Sequence, residues 1–193
     1  MVVGEPAVGV QVHARGLCES AQVGAGTRVW AFAHVMAGAV VGRGCNIGGG
    51  AFVESGAVLG DRVTVKNNVL VWDRVTVEDD VFLGPAVVFT NDLRPRAHVA
   101  RSGEELVPTM VRTGATLGAG VVMVCGTTVG RHAFVAAGAV VTADVPDHAL
   151  VVGNPARRVG WVCTCGRRLS QELSCECGKQ YELDDEARLA PAR

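Results

Sequence analysis

From Val23 onward the chain places an apolar residue at every sixth position: Val29, Val35, Val41, Ile47, Val53, Leu59, Val65, Val71, Val77, Leu83 and Phe89 follow without a miss. A second series runs two residues earlier, from Ala21, Thr27 and Ala33 through Cys45 and Val63 to Val87, and every member is small or β-branched. Two inward positions around one outward position describe a very short strand with a single buried face. A strict period of six fits neither a 3.6-residue helix nor a hairpin meander. It predicts an all-β fold, a parallel β-helix in which each strand stacks on its equivalents in the coils above and below. Glycine follows the apolar residue at Gly24, Gly42, Gly48, Gly60 and Gly84, where the turn between strands is expected to need a residue without a Cβ.

The phase breaks after Phe89 and resumes at Val111, continuing through Leu117, Met123, Val129, Val135 and Val141. The interval of 22 residues is not a multiple of six, so residues 91–108 are expected to leave the helical path as an extruded loop. Long loops inside compact domains are usually functional. With three hexads per coil the repeats make about six coils, a prism roughly 30 Å tall at the usual strand spacing. After Thr142 the prolines and glycines between Asp144 and Ala156 are expected to end the stacking.

Composition narrows the picture. Aromatics are only 5% of the chain and Gly is 25 of 193 residues, which suits a narrow interior and not a broad aromatic core. A net charge of −1 gives no basis for nucleic acid or an anionic membrane as partner. No long apolar run or leader-like N-terminus is present, so a cytoplasmic protein is expected. Cys163-Thr164-Cys165-Gly166 and Cys175-Glu176-Cys177-Gly178 each look like half of a zinc ribbon. Four thiolates at Cys163, Cys165, Cys175 and Cys177 suit a closed tetrahedral zinc with a structural role. The expected organisation is a β-helix domain over 1–162 and a Cys-rich extension over 163–193.

Finer strings point to a family. Val29-Trp30-Ala31-Phe32-Ala33-His34, Lys66-Asn67-Asn68, Glu78-Asp79-Asp80-Val81-Phe82, Phe89-Thr90-Asn91-Asp92, Pro95-Arg96 and Val152-Gly153-Asn154-Pro155-Ala156 resemble the left-handed β-helix acyltransferases that use acetyl-coenzyme A. Within these, the chain is similar to the branch that acetylates the 3-amino group of UDP- or dTDP-linked sugars. The crossover rule alone would favour a right-handed coil; left-handedness is implied by the resemblance. So is a homotrimer, with acetyl-CoA in the groove between adjacent prisms and the amino sugar beside it.

The resemblance implies that Asn91 positions the sugar amine against the thioester, although an Asn at a strand end also makes turns. His34, Lys66, Asn67 and Arg96 are the candidate substrate contacts: an outward His, polar residues interrupting a Val-rich stretch, and a loop guanidinium able to grip phosphate or carboxylate. Gly118, Ala119, Ala136 and Ala137 would keep a slim groove for the pantetheine arm. Arg157 and Arg158 follow the terminal turn, where the coenzyme phosphates are expected. His98, in the loop, is the candidate base for a rival reading, O-acetylation of a hydroxyl. A scaffold that binds sugar without catalysis is a further alternative.

Overall fold

The computed structural model describes residues 8–184 and 188–192. It is a parallel β-helix of the expected class, in which mostly two- and three-residue strands build three flat sheets. The first face stacks strands beginning at Gln11, Arg28, Asn46, Thr64, Phe82, Thr116, Phe134 and Ala149. The second carries Leu17, His34, Phe52, Leu70, Val88, Val122 and Val140 as its outward residues, and the third carries Val40, Val58, Thr76, Met110 and Thr128. Equivalent residues lie 18 apart, as Arg28, Asn46, Thr64 and Phe82 illustrate. Both predicted inward series are buried from Val23 to Val141, apart from Ala21, and they form one continuous core.

The corners carry two requirements: the glycines after the aliphatic residue must lack a Cβ, as expected, and a left-handed position follows two residues later. The residue at every sixth position from Gly26 to Ala86 has φ between 56° and 86°, whether it is Gly26, Phe32, Arg62, Asn68 or Asp80. The turn therefore demands left-handed backbone there. Gly42 serves a different purpose: its φ is ordinary, but a Cβ would lie 2.4 Å from the Gly60 carbonyl oxygen of the next coil. Gly42→Ala must push the coils apart, and a loss of about 1–3 kcal/mol is expected, read as a lower Tm by calorimetry.

The helix also runs further than predicted at its C-terminal end. Val145 bridges to Val129, and Ala149–Val152 pairs with Phe134–Val135, so stacking continues past Thr142. Pro146 does not stop it, because its position is one whose N–H, as at Gly130, donates upward to the next coil. The third face has no strand above Pro146, so the missing N–H loses no hydrogen bond. Arg157–Trp161 then turns back and pairs antiparallel with Ala149–Val152.

The extruded loop is as expected. Thr116 stacks on Phe82, 34 residues later, sixteen more than one coil. Its neck is closed by the Val107 N–H donating to the Asn91 carbonyl at 2.8 Å, and its tip by Arg74 Nε donating to the Gly103 carbonyl at 2.9 Å. No helix among the described residues is long and apolar enough to cross a membrane.

Candidate functional site

Two clefts flank the second face, one at each edge. The first, about 500 Å³, is lined by Met36, Glu54, Ser55, Asp73, Asn91, Asp92, Arg101 and the loop residues Ser102, Gly103 and Leu106. The 18-residue repeat makes this corner, because Ser55, Asp73 and Asn91 occupy the same position in successive coils. Asn91 Nδ2 donates to the Asp73 carbonyl at 3.4 Å, a long bond that leaves its amide oxygen free to meet a ligand. Glu54 Oε2 accepts the Asp73 N–H at 2.7 Å. Arg101 reaches back along the loop to pair with Asp92 at 2.9 Å, and both are partly buried. The Arg94 N–H, opposed by some desolvation and helped by Arg101, holds the Asp92 carboxyl below its ordinary range. The cleft is therefore lined by three carboxylates with one guanidinium among them, and it contains no histidine.

The second cleft, about 470 Å³, lies at the opposite edge and is lined by His13, Trp30, Ala31, Asn46, Gly48, Gly49, Lys66 and Asn67. Trp30 Nε1 donates to Asn46 Oδ1 at 2.9 Å, which fixes the half-exposed indole. Gly118, Ala119, Ala136 and Ala137 occupy the same corner in later coils, and the register continues through Val152 to its partner Arg157. Lys66, Asn67 and the candidate coenzyme residues thus share one edge, with Arg157 at its end. Arg158 lies over the Trp161 ring at 4.3 Å.

The remaining candidates are elsewhere. His34 points outward on the second face, its Nε2 2.9 Å from Glu19 Oε2 and its ring edge-on to Phe52. Arg96 is exposed, bonds to the neighbouring Pro95 carbonyl, and does not line the Asn91 cleft. Its place in the loop's inner wall is taken by Arg101. His98 is likewise exposed and away from that lining. Asp73, Glu54 and Arg101 were not singled out from the sequence. The spacing of 18 between Asp73 and Asn91 was the available signal, since it places both on one corner.

The four extension cysteines do converge: their sulfurs lie within 4.8 Å of one another. They share charge unevenly. Desolvation opposes ionisation of Cys163, yet the Cys165 N–H and the Tyr181 hydroxyl lower its pKa, while at Cys175 the lowering by the Cys177 N–H is outweighed by desolvation and the neighbouring sulfurs, which raise it.

Comparison with known proteins agrees with this fold. The bacterial transferase hexapeptide (six repeats) matches residues 20–55, and the hexapeptide repeat of succinyl-transferase matches residues 114–143. The dTDP-3-amino-3,6-dideoxy-alpha-D-galactopyranose 3-N-acetyltransferase of Aneurinibacillus thermoaerophilus is 48% identical over 177 residues, covering 90% of this chain and 91% of its own. A hexapeptide-repeat containing acetyltransferase from Vibrio cholerae, solved with acetyl coenzyme A, superposes with a TM-score of 0.55 and 26% identity over 65% of this chain and 72% of its own. The acetyltransferase domain of PglB from Neisseria gonorrhoeae, also solved with acetyl coenzyme A, shares the fold at a TM-score of 0.58 and 24% identity, covering 79% of this chain and 58% of its own. With hexapeptide repeats matched at residues 20–55 and 114–143 and a 48% identical relative matched along nearly its whole length, the chain belongs to the hexapeptide-repeat acetyltransferase family.

Proposed function

We propose that this acetyltransferase transfers the acetyl group of acetyl-CoA to the 3-amino group of a dTDP-linked 3-amino-3,6-dideoxy sugar. The observation that carries the reading is the 48% identity to a 3-N-acetyltransferase of such a sugar across 90% of this chain. The Asn91 cleft supports it chemically, because Glu54, Asp73 and Asp92 make a rim that attracts an ammonium-bearing substrate. Once the ammonium has lost its proton to solvent, the amine lone pair attacks the thioester carbonyl carbon. The C–N bond forms, the C–S bond breaks, and the departing thiolate takes the remaining surplus proton from nitrogen. An amine needs orientation more than a base, and Asn91 supplies it. His34, Lys66, Asn67 and Arg96 serve the nucleotide sugar, and Gly118, Ala119, Ala136, Ala137, Arg157 and Arg158 serve the coenzyme.

The working enzyme is a homotrimer joined through the second face. Its outward residues Leu17, Phe52, Leu70, Val88, Val122 and Val140 are apolar, with His34 as a polar exception, whereas the first four coils of the first face present Gln11, Arg28, Asn46 and Thr64, and Phe82 and Phe134 follow only higher up. If that face turns toward a threefold axis, the Asn91 edge of one copy meets the Lys66 and Gly118 edge of the next. Sugar amine and thioester then meet between subunits. In the extension that begins at Cys163 the four cysteine thiolates hold a structural zinc, and with no disulfide among the seven cysteines the chain suits the reducing cytoplasm.

The direct test measures acetyl-CoA consumption with a panel of dTDP- and UDP-linked 3-amino sugars and their 3-hydroxy counterparts. Turnover is expected with the dTDP-3-amino-3,6-dideoxyhexoses. Preference for a hydroxyl sugar, or no turnover at all, would overturn the proposal.

A further inference from the structure

The C-terminal extension contains the same hairpin twice. Residues 161–169 and 173–181 correspond by a shift of twelve, pairing Cys163 with Cys175, Cys165 with Cys177, Gly166 with Gly178 and Arg167 with Lys179. The hydrogen bonds repeat with the sequence. Gly166 N–H donates to the Cys163 carbonyl at 2.8 Å and Gly178 N–H to the Cys175 carbonyl at 2.9 Å. Cys163 N–H donates to the Arg167 carbonyl, and Cys175 N–H to that of Lys179. The outer bridges Val162–Arg168 and Ser174–Gln180 also correspond, and both glycines have φ near 85–88°, a left-handed turn that glycine accepts without strain.

The two hairpins face each other. Cys163 Sγ is 3.5 Å from Cys177 Sγ, and Cys165 Sγ is 3.6 Å from Cys175 Sγ. A disulfide would bring a pair to about 2.05 Å. A tetrahedral zinc with Zn–S bonds of about 2.3 Å places its sulfurs about 3.8 Å apart.

We infer that this duplicated knuckle binds one zinc ion in a closed four-thiolate site, and that the metal clamps the strand carrying Arg157 and Arg158. Arg157–Trp161 has the last strand of the β-helix along one edge. Its other edge is held by the first knuckle: Leu169 N–H donates to the Trp161 carbonyl and Arg168 Nη2 to the Val159 carbonyl, each at 2.9 Å. Cys163 follows Trp161 by only two residues, so a metal bond there acts directly on the strand end. The knuckle is also seated on the last coils. Tyr181 donates its hydroxyl to Cys163 Sγ at 3.2 Å, accepts the Thr164 N–H, and lays its ring 5.4 Å from that of buried His148. His148 in turn bonds the Val162 carbonyl through Nδ1 at 3.0 Å. Without metal, this edge strand of the sheet loses the two knuckle bonds that cover its open side, and the Trp161 platform under Arg158 loses its support. The zinc thus positions the phosphate-binding end of the coenzyme edge while taking no part in acetyl transfer. This last step rests on the proposed course of the coenzyme along that edge.

Elemental analysis of freshly reduced, full-length protein should find one zinc per chain; iron, or no metal, would overturn the site. The double variant Cys175→Ser/Cys177→Ser should lose the zinc and exchange the amide hydrogens of residues 157–161 roughly tenfold faster or more. Its KM for acetyl-CoA should rise about tenfold, with kcat and the sugar KM within about twofold of the parent. Unchanged exchange together with unchanged KM in the zinc-free protein would overturn the clamp. If that variant does not fold, Arg168→Ala, which keeps all four thiolates but loses the bond to Val159, should speed the same exchange; no change would count against the clamp. Arg157→Ala/Arg158→Ala separates the two ideas. An unchanged acetyl-CoA KM in that protein, beside faster exchange in the cysteine variant, would remove the coenzyme reading and leave the zinc clamp standing.

Discussion

Asn91→Ala is expected to lower kcat/KM by about 10–1000-fold, equivalent to about 1.4–4 kcal/mol of transition-state stabilisation. The side chain lies at the base of the extruded loop with one long hydrogen bond to Asp73, so its removal leaves the coil intact. The Tm should therefore hold while the rate falls. Acetyl-CoA affinity should also hold, because the residues proposed to hold the coenzyme lie along the other edge. The rate of both proteins should climb with pH as the sugar ammonium deprotonates, since the titrating group belongs to the substrate. Steady-state kinetics over a pH series decide the matter. Turnover near that of the parent, or a pH profile abolished by His98→Ala, would move the chemistry to another residue.

Leu70→Glu is expected to have the other large effect. Leu70 stacks between Phe52 and Val88 in the middle of the second face and is partly exposed in the single chain. In the proposed trimer the substitution brings carboxylates from three copies into an apolar contact, where desolvation and like-charge repulsion both act against assembly. Light scattering should report three times 20.0 kDa for the parent and a single 20.0 kDa chain for the variant. Activity should drop at least about 100-fold with it, because a site divided between two edges is incomplete in one copy. Val58→Glu on the third face is the control and should leave both mass and activity unchanged. A parent protein running as a single chain would sink the shared-site proposal outright.

The two predictions draw on different parts of the sequence. The period of six made the core legible residue by residue, because a stack of equivalent strands has one inward geometry, repeated in every coil. From Val23 to Val141 nearly all the predicted inward residues are buried. The loop was legible as a phase error, since 22 residues between Phe89 and Val111 cannot be accommodated on the helical path. The corners were less so. The aliphatic-glycine pair drew the eye, but the left-handed position lies two residues further on and is filled by Phe32, Arg62, Asn68 and Asp80 as well as by glycine. A backbone requirement met by so many residue types leaves little trace in composition.

The site separates sequence from tertiary structure most clearly. Chain pattern alone determined the all-β stacked architecture, the position of the loop and the convergence-ready cysteine pairs, since each depends on regular spacing. Only the folded chain decided which of the residues aligned by the period close a cleft with the loop. Coiling by 18 residues sets Asp73 beside Asn91 and aligns Lys66 with Gly118 and Ala136. Loop packing brought Arg101, and not Arg96, into the cleft, because the bonds of the Asp92–Arg101 pair and of Arg74 to Gly103 fold the loop back onto the corner. Irregular backbone takes its shape from such contacts across the fold, and no local period announces them.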